Sequence, residues 1–418
     1  MTRPALLVLL AGMALGLFAC TTTHQVSIEP VEVVQAQVEI PETQLLDVGI
    51  QTFEPGLNKD EIELVEEGVF PAVRKAEARF IPVQLRNTLQ DTGHWGAVRI
   101  VPEESDAVDV FVLGKILRSD GEALELEIEV SDSSGRVWLN RRYKSEANAN
   151  SYTVEEVTDR DPFQNIYNAI ANDMLSARER LTPADLANLR EVSELRFAID
   201  LAPEAFSGYL KTASDGHYLV RRLPAKDDPM MIRVRRLRER DLMLIDTLNE
   251  HYANFGDKMD DSYESWRKYS YEEVVAYNEL KRSANIQKAL GVVAVLGGIA
   301  AAVAGIPAAE ILAPTLIVGG AAVFKRGMDR GEESEIHADA IRELGTSFDS
   351  EVSPMVIEVE GQTMELRGSA DQQYQDWRRI LRKIYASETG FEVGDATDLN
   401  ATPADAPTRL SSPSTAQP

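Results

Sequence analysis

Cys20 is the only cysteine in this chain of 418 residues, which rules out an intramolecular disulfide and leaves a single thiol to carry any cysteine chemistry. The histidines, His24, His94, His217, His251 and His337, are scattered, and none pairs with another at metal-ligand spacing. There is no His-Glu-x-x-His, no acidic calcium loop, no Gly-x-Ser-x-Gly elbow and no Gly-x-x-x-x-Gly-Lys-Ser/Thr phosphate loop. His94 beside Trp95 is the one conspicuous ionisable-aromatic pair, and without a partner nucleophile it reads as a loop-to-strand anchor. Asp260-Asp261 and Glu332-Glu333 read as solvated helix faces. The expectation is a protein that is not an enzyme, with no cofactor and no metal.

What Cys20 can do is set by its position. Arg3 precedes an uncharged apolar run from Ala5 to Ala19, and Leu17-Phe18-Ala19 leads directly into the cysteine. A basic start, an apolar stretch and a small residue before the cut describe a signal peptide over residues 1–19. The cysteine after the small residue resembles the lipobox of bacterial lipoproteins, although Phe18 is larger than the residue usual there. The resemblance implies thioether diacylation of Cys20, cleavage before it and acylation of the new amino group. The alternatives are an ordinary signal peptide with an incidental cysteine, or an uncleaved anchor. Two or three acyl chains hold a protein stably on a membrane where one would be marginal. Thr21 stands where an Asp would act as a retention signal. By resemblance to enterobacterial sorting this favours the outer membrane, with the body facing the periplasm.

The surface agrees with a soluble body. Sixty-eight acidic residues against 43 basic ones give a formal net charge of −25, which repels nucleic acid and anionic lipid. Arg221, Arg222, Arg233, Arg235, Arg236, Arg238 and Arg240 form the one basic stretch. It reads as the solvated face of a helix starting near Pro229, or as a docking patch for an acidic partner or lipid head groups.

Residues 20–41 are polar and extended, with alternating Val31, Val33 and Val38, and read as a lipidated tether that lets the body stand off the membrane. Residues 42–150 predict an α+β domain: a strand at Leu46–Phe53, a helix over Val69–Leu89 interrupted at Pro82, and strands at Trp95–Val101 and Asp109–Ile116. Leu124–Val130 then alternates apolar residues with glutamates, Ser131–Gly135 is turn chemistry, and Arg136–Tyr143 returns, with the glutamates facing Arg141 and other basic side chains.

The run Ala107-Val108-Asp109-Val110-Phe111-Val112-Leu113-Gly114-Lys115-Ile116, with the alternating strand, Asp132, Gly135, Val137 and Trp138 after it, resembles periplasmic lipoprotein domains. The similar families are the TolB N-terminal domain, the penicillin-binding-protein activators, the FlgO-type lipoproteins and CsgG. This covers about a quarter of the chain, and its motifs are structural. The resemblance implies a binding or channel-forming role and brings no catalytic residues.

Residues 162–290 predict a helical bundle or stalk, with a helix start at Thr182-Pro183-Ala184-Asp185 and breaks at Ser214-Asp215-Gly216 and Pro224–Pro229. From Ala289 to Phe324 the chain is almost uncharged. Gly291, Gly298 and Gly305 recur every seven residues, and Gly319-Gly320 lie in a second arm after Pro307. Small residues at helical repeats let backbones approach closely, so 289–326 predicts a Gly/Ala-rich helical hairpin, buried within this protein or an oligomer or inserted in a membrane, the remaining alternative being an exposed or disordered segment. Residues 327–390 predict a helix, a β-hairpin turning at Glu360–Thr363 and an amphipathic helix over Asp371–Ala386. Residues 391–418 predict a disordered tail.

The expected molecule is an α+β lipoprotein of the cell envelope. It is anchored through acylated Cys20, forms homo-oligomers and acts as a scaffold, regulator or assembly factor for a periplasmic or outer-membrane complex. The alternative is a channel-forming or secretion lipoprotein that uses Gly291, Gly298, Gly305, Gly319 and Gly320 as contacts.

Overall fold

Apolar alternation and helical periodicity resolve into an α+β fold in the computed structural model, which describes residues 23–26, 29–57, 70–102, 105–152, 161–303, 340–343, 346, 355–359 and 362–390. The sheet strands are β1 (Thr23–Gln25), β2 (Val48–Gln51), β3 (Val98–Val101), β4 (Val110–Ser119), β5 (Ala123–Asp132) and β6 (Val137–Glu146), in the spatial order β1-β6-β5-β4-β2-β3. β2 lies parallel to both neighbours, β4-β5-β6 is an antiparallel meander, and β1 joins β6 in parallel. One sheet face buries Val48, Ile50, Val110, Val112, Leu126, Ile128 and Val130 under helices α1 (Pro71–Asp91) and α2 (Gln164–Arg178). The opposite face carries Glu125, Glu127 and Glu129, as the alternation requires.

The register corrects one pairing. Ile128, not a glutamate, stands opposite Arg141, which turns to α2 and binds Asp173 at 2.6 Å. Glu127 faces Arg142, at 2.8 Å. A shift of one residue moves a side chain to the other face of a strand, so neighbouring arginines serve different layers.

Helix α1 also differs from expectation, because it passes through Pro82 without a break. Proline cannot donate to the carbonyl four residues back, which would leave Ala78 oxygen unpaired. The Phe53 amide takes that place, donating to Ala78 oxygen over 2.8 Å. The lost helix bond becomes a tie between the helix and the end of β2.

Beyond the sheet come α3 (Pro183–Leu201), the short α4 (Pro203–Phe206), a small hairpin of β7 (Leu210–Thr212) and β8 (Tyr218–Val220), and the long α5 (Pro229–Val303). Thr182 caps α3 in a reciprocal box with Asp185. The break at Ser214–Gly216 is the β7–β8 turn, where Gly216 has a φ of +89°. Helix α5 has 75 residues and does not stop at Gly256. That glycine faces Val83 of α1, where a Cβ would come within 3.2 Å, so the missing side chain brings the two helices close. The C-terminal hairpin of β9 (Met355–Val359) and β10 (Gln362–Leu366) precedes α6 (Ala370–Thr389), which begins with a Ser369–Gln372 capping box.

The apolar interior crosses the boundary drawn at residue 150. Phe80, Val83 and Ala76 of α1 pack with Leu248, Tyr252, Phe255 and Tyr263 of α5, and with Tyr374, Leu381 and Tyr385 of α6, in one cluster. Ala78, Ile81 and Leu85, elsewhere on α1, belong to the core beneath the sheet. α1 is a shared wall.

Candidate functional site

Residues 29–36 do not form a free tether. They are laid along α2, where Asn165, Asn168 and Asn172 occupy one helix face at spacings of three and four. Asn165 accepts from the Val31 amide (3.0 Å) and donates to Glu29 oxygen (3.0 Å). Asn168 donates to Val31 oxygen at 2.7 Å. Asn172 accepts from the Val34 amide (2.9 Å) and donates to Glu32 oxygen (3.0 Å). Upstream, His24 pairs with Tyr143 in the β1–β6 register and the Val26 amide donates to Lys144 oxygen at 2.7 Å. Downstream, the Ala36 amide donates to Thr92 oxygen at 2.8 Å, and Arg190 and Arg178 hold the carbonyls of Glu42 and Gln44. Extended backbone finds no partners of its own, and the asparagine amides supply both donor and acceptor. The segment is a strap.

The second construction seats α5. Glu77 of α1 is 1% exposed and accepts from Arg74 Nε at 3.0 Å, Ser119 Oγ at 2.6 Å and Tyr263 Oη at 2.7 Å. Burial pushes its carboxyl up from the ordinary range, against the pull of Arg74 and the two hydroxyls. One turn along α5, fully buried Arg267 binds Asp161 at 2.8 Å and lies 4.3 Å over the Tyr263 ring. Gly121, in the β4–β5 turn with a φ of +76°, lies against the α5 backbone, where a Cβ would fall on the Arg267 carbonyl oxygen. Ser270 Oγ donates to Asp120 oxygen at 2.9 Å, and Tyr152 lies 5.3 Å from Tyr271 between ring centroids. The seat therefore runs at least to Tyr271. At the sheet edge, Asn249 accepts from the Ile100 amide at 2.7 Å and donates to Ile100 oxygen at 3.1 Å, completing the outer side of β3 as a neighbouring strand would.

A third cluster fastens α6. Asp241 of α5, fully buried, accepts from Arg378 Nη1 at 3.2 Å and Tyr374 Oη at 3.3 Å. Arg378 and Arg382 both reach Asp200 of α3. Burial raises the Asp241 carboxyl to about 6, with Arg378 opposing.

Of the basic stretch, Arg233 meets Glu388, Arg235 meets Glu194, and Arg238 donates to Ala107 oxygen and Ser193 Oγ. These arginines hold α5 to α3, α6 and the loop before β4. A cleft beside them is lined by Ser105, Asp106, Asp132, Ser193, Arg196 and Tyr218, where Arg196 binds Asp106 at 2.6 Å and lies over the Tyr218 ring. Asp132 accepts from the Ser134 amide and from Trp138 Nε1, so the Asp132–Trp138 pattern shapes the β5–β6 turn. Ser193 Oγ donates to Asp109 at 2.6 Å. Among the described residues no group of His, Cys, Asp and Glu could hold a metal ion.

The residues singled out from sequence fare unequally. Cys20, Gly305, Gly319 and Gly320 lie outside the described residues, as do the hairpin turn near Pro307 and the second arm. Gly291 and Gly298 lie in the last turns of α5, so the first apolar arm, up to Val303, is the continuation of the long helix and not a separate element. Seven residues are close to two helical turns, which places both glycines on one face. Among the described residues no helix is long and apolar enough to cross a membrane. Sequence reasoning missed the asparagine face of α2, although asparagines at this spacing inside a helix, where they are poor formers, are a visible signal. Comparison with protein-family models, curated proteins and solved structures finds no match to the chain.

Proposed function

We propose that this chain is a non-enzymatic, lipid-anchored protein of the cell envelope, held at the outer membrane by acylated Cys20 and facing the periplasm. Its α+β body is a mount for α5, and it serves as a scaffold, regulator or assembly factor by presenting that helix. One observation carries this reading. After the seat at Ser270 and Tyr271, α5 continues without interruption to Val303, a further 32 residues of its 75, into the Gly/Ala-rich segment. At 1.5 Å per residue that stretch is about 48 Å long. The buried ionic groups on both sides of α5 give the mount a single register, which suits an element that must hold a surface in a fixed place.

Gly291 and Gly298 on one helix face favour close contact with a second copy of the same helix. The same observation supports a second reading, an oligomeric channel or secretion lipoprotein built from these helices. The resemblance of the body to TolB N-terminal, activator, FlgO and CsgG domains suits either. Light scattering of the full chain in mild detergent tests the proposal. An oligomer whose mass falls on Gly298→Leu is expected, and a monomeric wild-type chain contradicts it. Pull-down from cross-linked envelopes identifies the partner.

A further inference from the structure

The strap changes what a lipid on Cys20 would do, on the reading that Cys20 is the lipid anchor. Two residues lie between Cys20 and Thr23, so the three chain steps reach no more than about 11 Å. From Thr23 the chain is committed to the body: β1 pairs with β6, and the asparagine face of α2 holds residues 29–34. β1 is parallel to β6, with Thr23 opposite Arg142, so the chain enters from the end of the sheet where β6 begins. That end is the β5–β6 turn and the first residues of β6.

The same end carries unpartnered apolar side chains. Val137, the first residue of β6, is 51% exposed, and Leu219 of β8 is 42% exposed. β8 is joined to this turn, because the Tyr218 amide donates to Ser134 oxygen over 2.8 Å and Arg196 lies 5.0 Å over the Tyr218 ring. Val137 is five residues, about 17 Å of strand, before Arg142. This end therefore extends about 6 Å farther than Cys20 can reach along the same direction. An acylated Cys20 must lie at the headgroup level, so a steeply standing sheet would place Val137 and Leu219 at the headgroup–acyl boundary.

We infer that the β5–β6 turn and the β7–β8 hairpin form a membrane-contacting surface, with Val137 and Leu219 seated in the bilayer that holds the lipidated N-terminus. The body rests on the membrane and does not hang from a tether. Its exposed Met243, 60% exposed on the seated part of α5, faces water.

The test uses the full acylated chain in phospholipid vesicles, because acylated Cys20 leaves an introduced cysteine as the only free thiol. Val137→Cys, Leu219→Cys and Met243→Cys are each labelled with an environment-sensitive fluorophore, and a nitroxide-bearing lipid is the quencher. Blue-shifted emission and several-fold stronger quenching at 137 and 219 than at 243 are expected. Equal behaviour at all three sites, in a chain whose acylation and vesicle binding are verified, overturns this inference and leaves the lipid anchor standing. A mass spectrum without acyl chains removes the anchor, and this inference with it.

Discussion

Tyr263 donates its phenol hydrogen to the Glu77 carboxylate over 2.7 Å, joining α5 to α1 across 186 residues of chain. Both groups are buried, and Ser119 of β4 meets the same carboxylate oxygen. Three elements distant in sequence thus share one acid. Tyr263→Phe keeps the ring against Phe80 and Trp266 and removes only the donor. The expected loss is about 1–3 kcal/mol of unfolding free energy, measured by chemical denaturation, since a buried carboxylate is left short of a partner. No loss would mean that the seat does not depend on this bond.

The β4–β5 turn allows a sharper test of the seat. Gly121→Ala puts a Cβ onto the α5 backbone and forces an alanine to a φ of +76°. A destabilisation of at least about 1–3 kcal/mol is expected from the backbone strain alone. Hydrogen exchange should show loosened amides around Arg267–Tyr271, while β5 and β6 stay protected. Unchanged exchange in α5 would contradict the close approach.

Asp241 makes the fastening of α6 sensitive to pH. Its folded pKa is raised from 3.8 to about 6, so the folded chain holds this proton more tightly than the unfolded chain. Its contribution to stability is therefore greatest below about pH 4, falls as pH rises towards 6, and is flat above that. Asp241→Asn removes the titration. Between about pH 4 and pH 6.5 the stability of the variant relative to wild type should rise by about 2 kcal/mol. A difference that does not vary with pH, measured by denaturation at the two values, would contradict the assignment.

The strap has its own signature. Asn168→Ala deprives Val31 oxygen of a donor and Gln164 Nε2 of its acceptor on Asn168. A loss of about 1–3 kcal/mol is expected, together with faster exchange at the Val31 and Val34 amides and earlier proteolysis between residues 29 and 36. A strap that is cut no faster in the variant is not held by the asparagine face.

The sequence showed the parts whose signals are local. Leu124–Val130 reads as a strand because every second residue is apolar, and it is the middle of β5. Pro229 marks the start of α5, and Thr182-Pro183-Ala184-Asp185 opens α3. What was hidden depends on partners far along the chain. Pro82 looks like a break until the Phe53 amide is seen at Ala78 oxygen. The role of Gly256 in the middle of α5 is visible only when Val83 of α1 is placed against it. Thr23–Gln25 is too short and polar to announce a strand, and it becomes one only because β6 has a free edge there. The arginines of the basic stretch look solvated in the sequence, yet Arg233, Arg235 and Arg238 are used as ties. Of the candidate site, Cys20 and the glycine repeat stand out as motifs, whereas the strap on α2 and the seat of α5 rest on contacts between distant residues.

Everything proposed for this protein at the membrane depends on the lipid at Cys20, and intact mass spectrometry of the mature protein from fractionated envelopes tests that directly. The expected result is an N-terminus beginning at Cys20 with its acyl chains, in a protein found with the outer membrane. Cys20→Ala should carry no lipid and be released or mislocalised. A wild-type chain with no lipid on its N-terminus, and membrane attachment unchanged in Cys20→Ala, would contradict the lipid anchor.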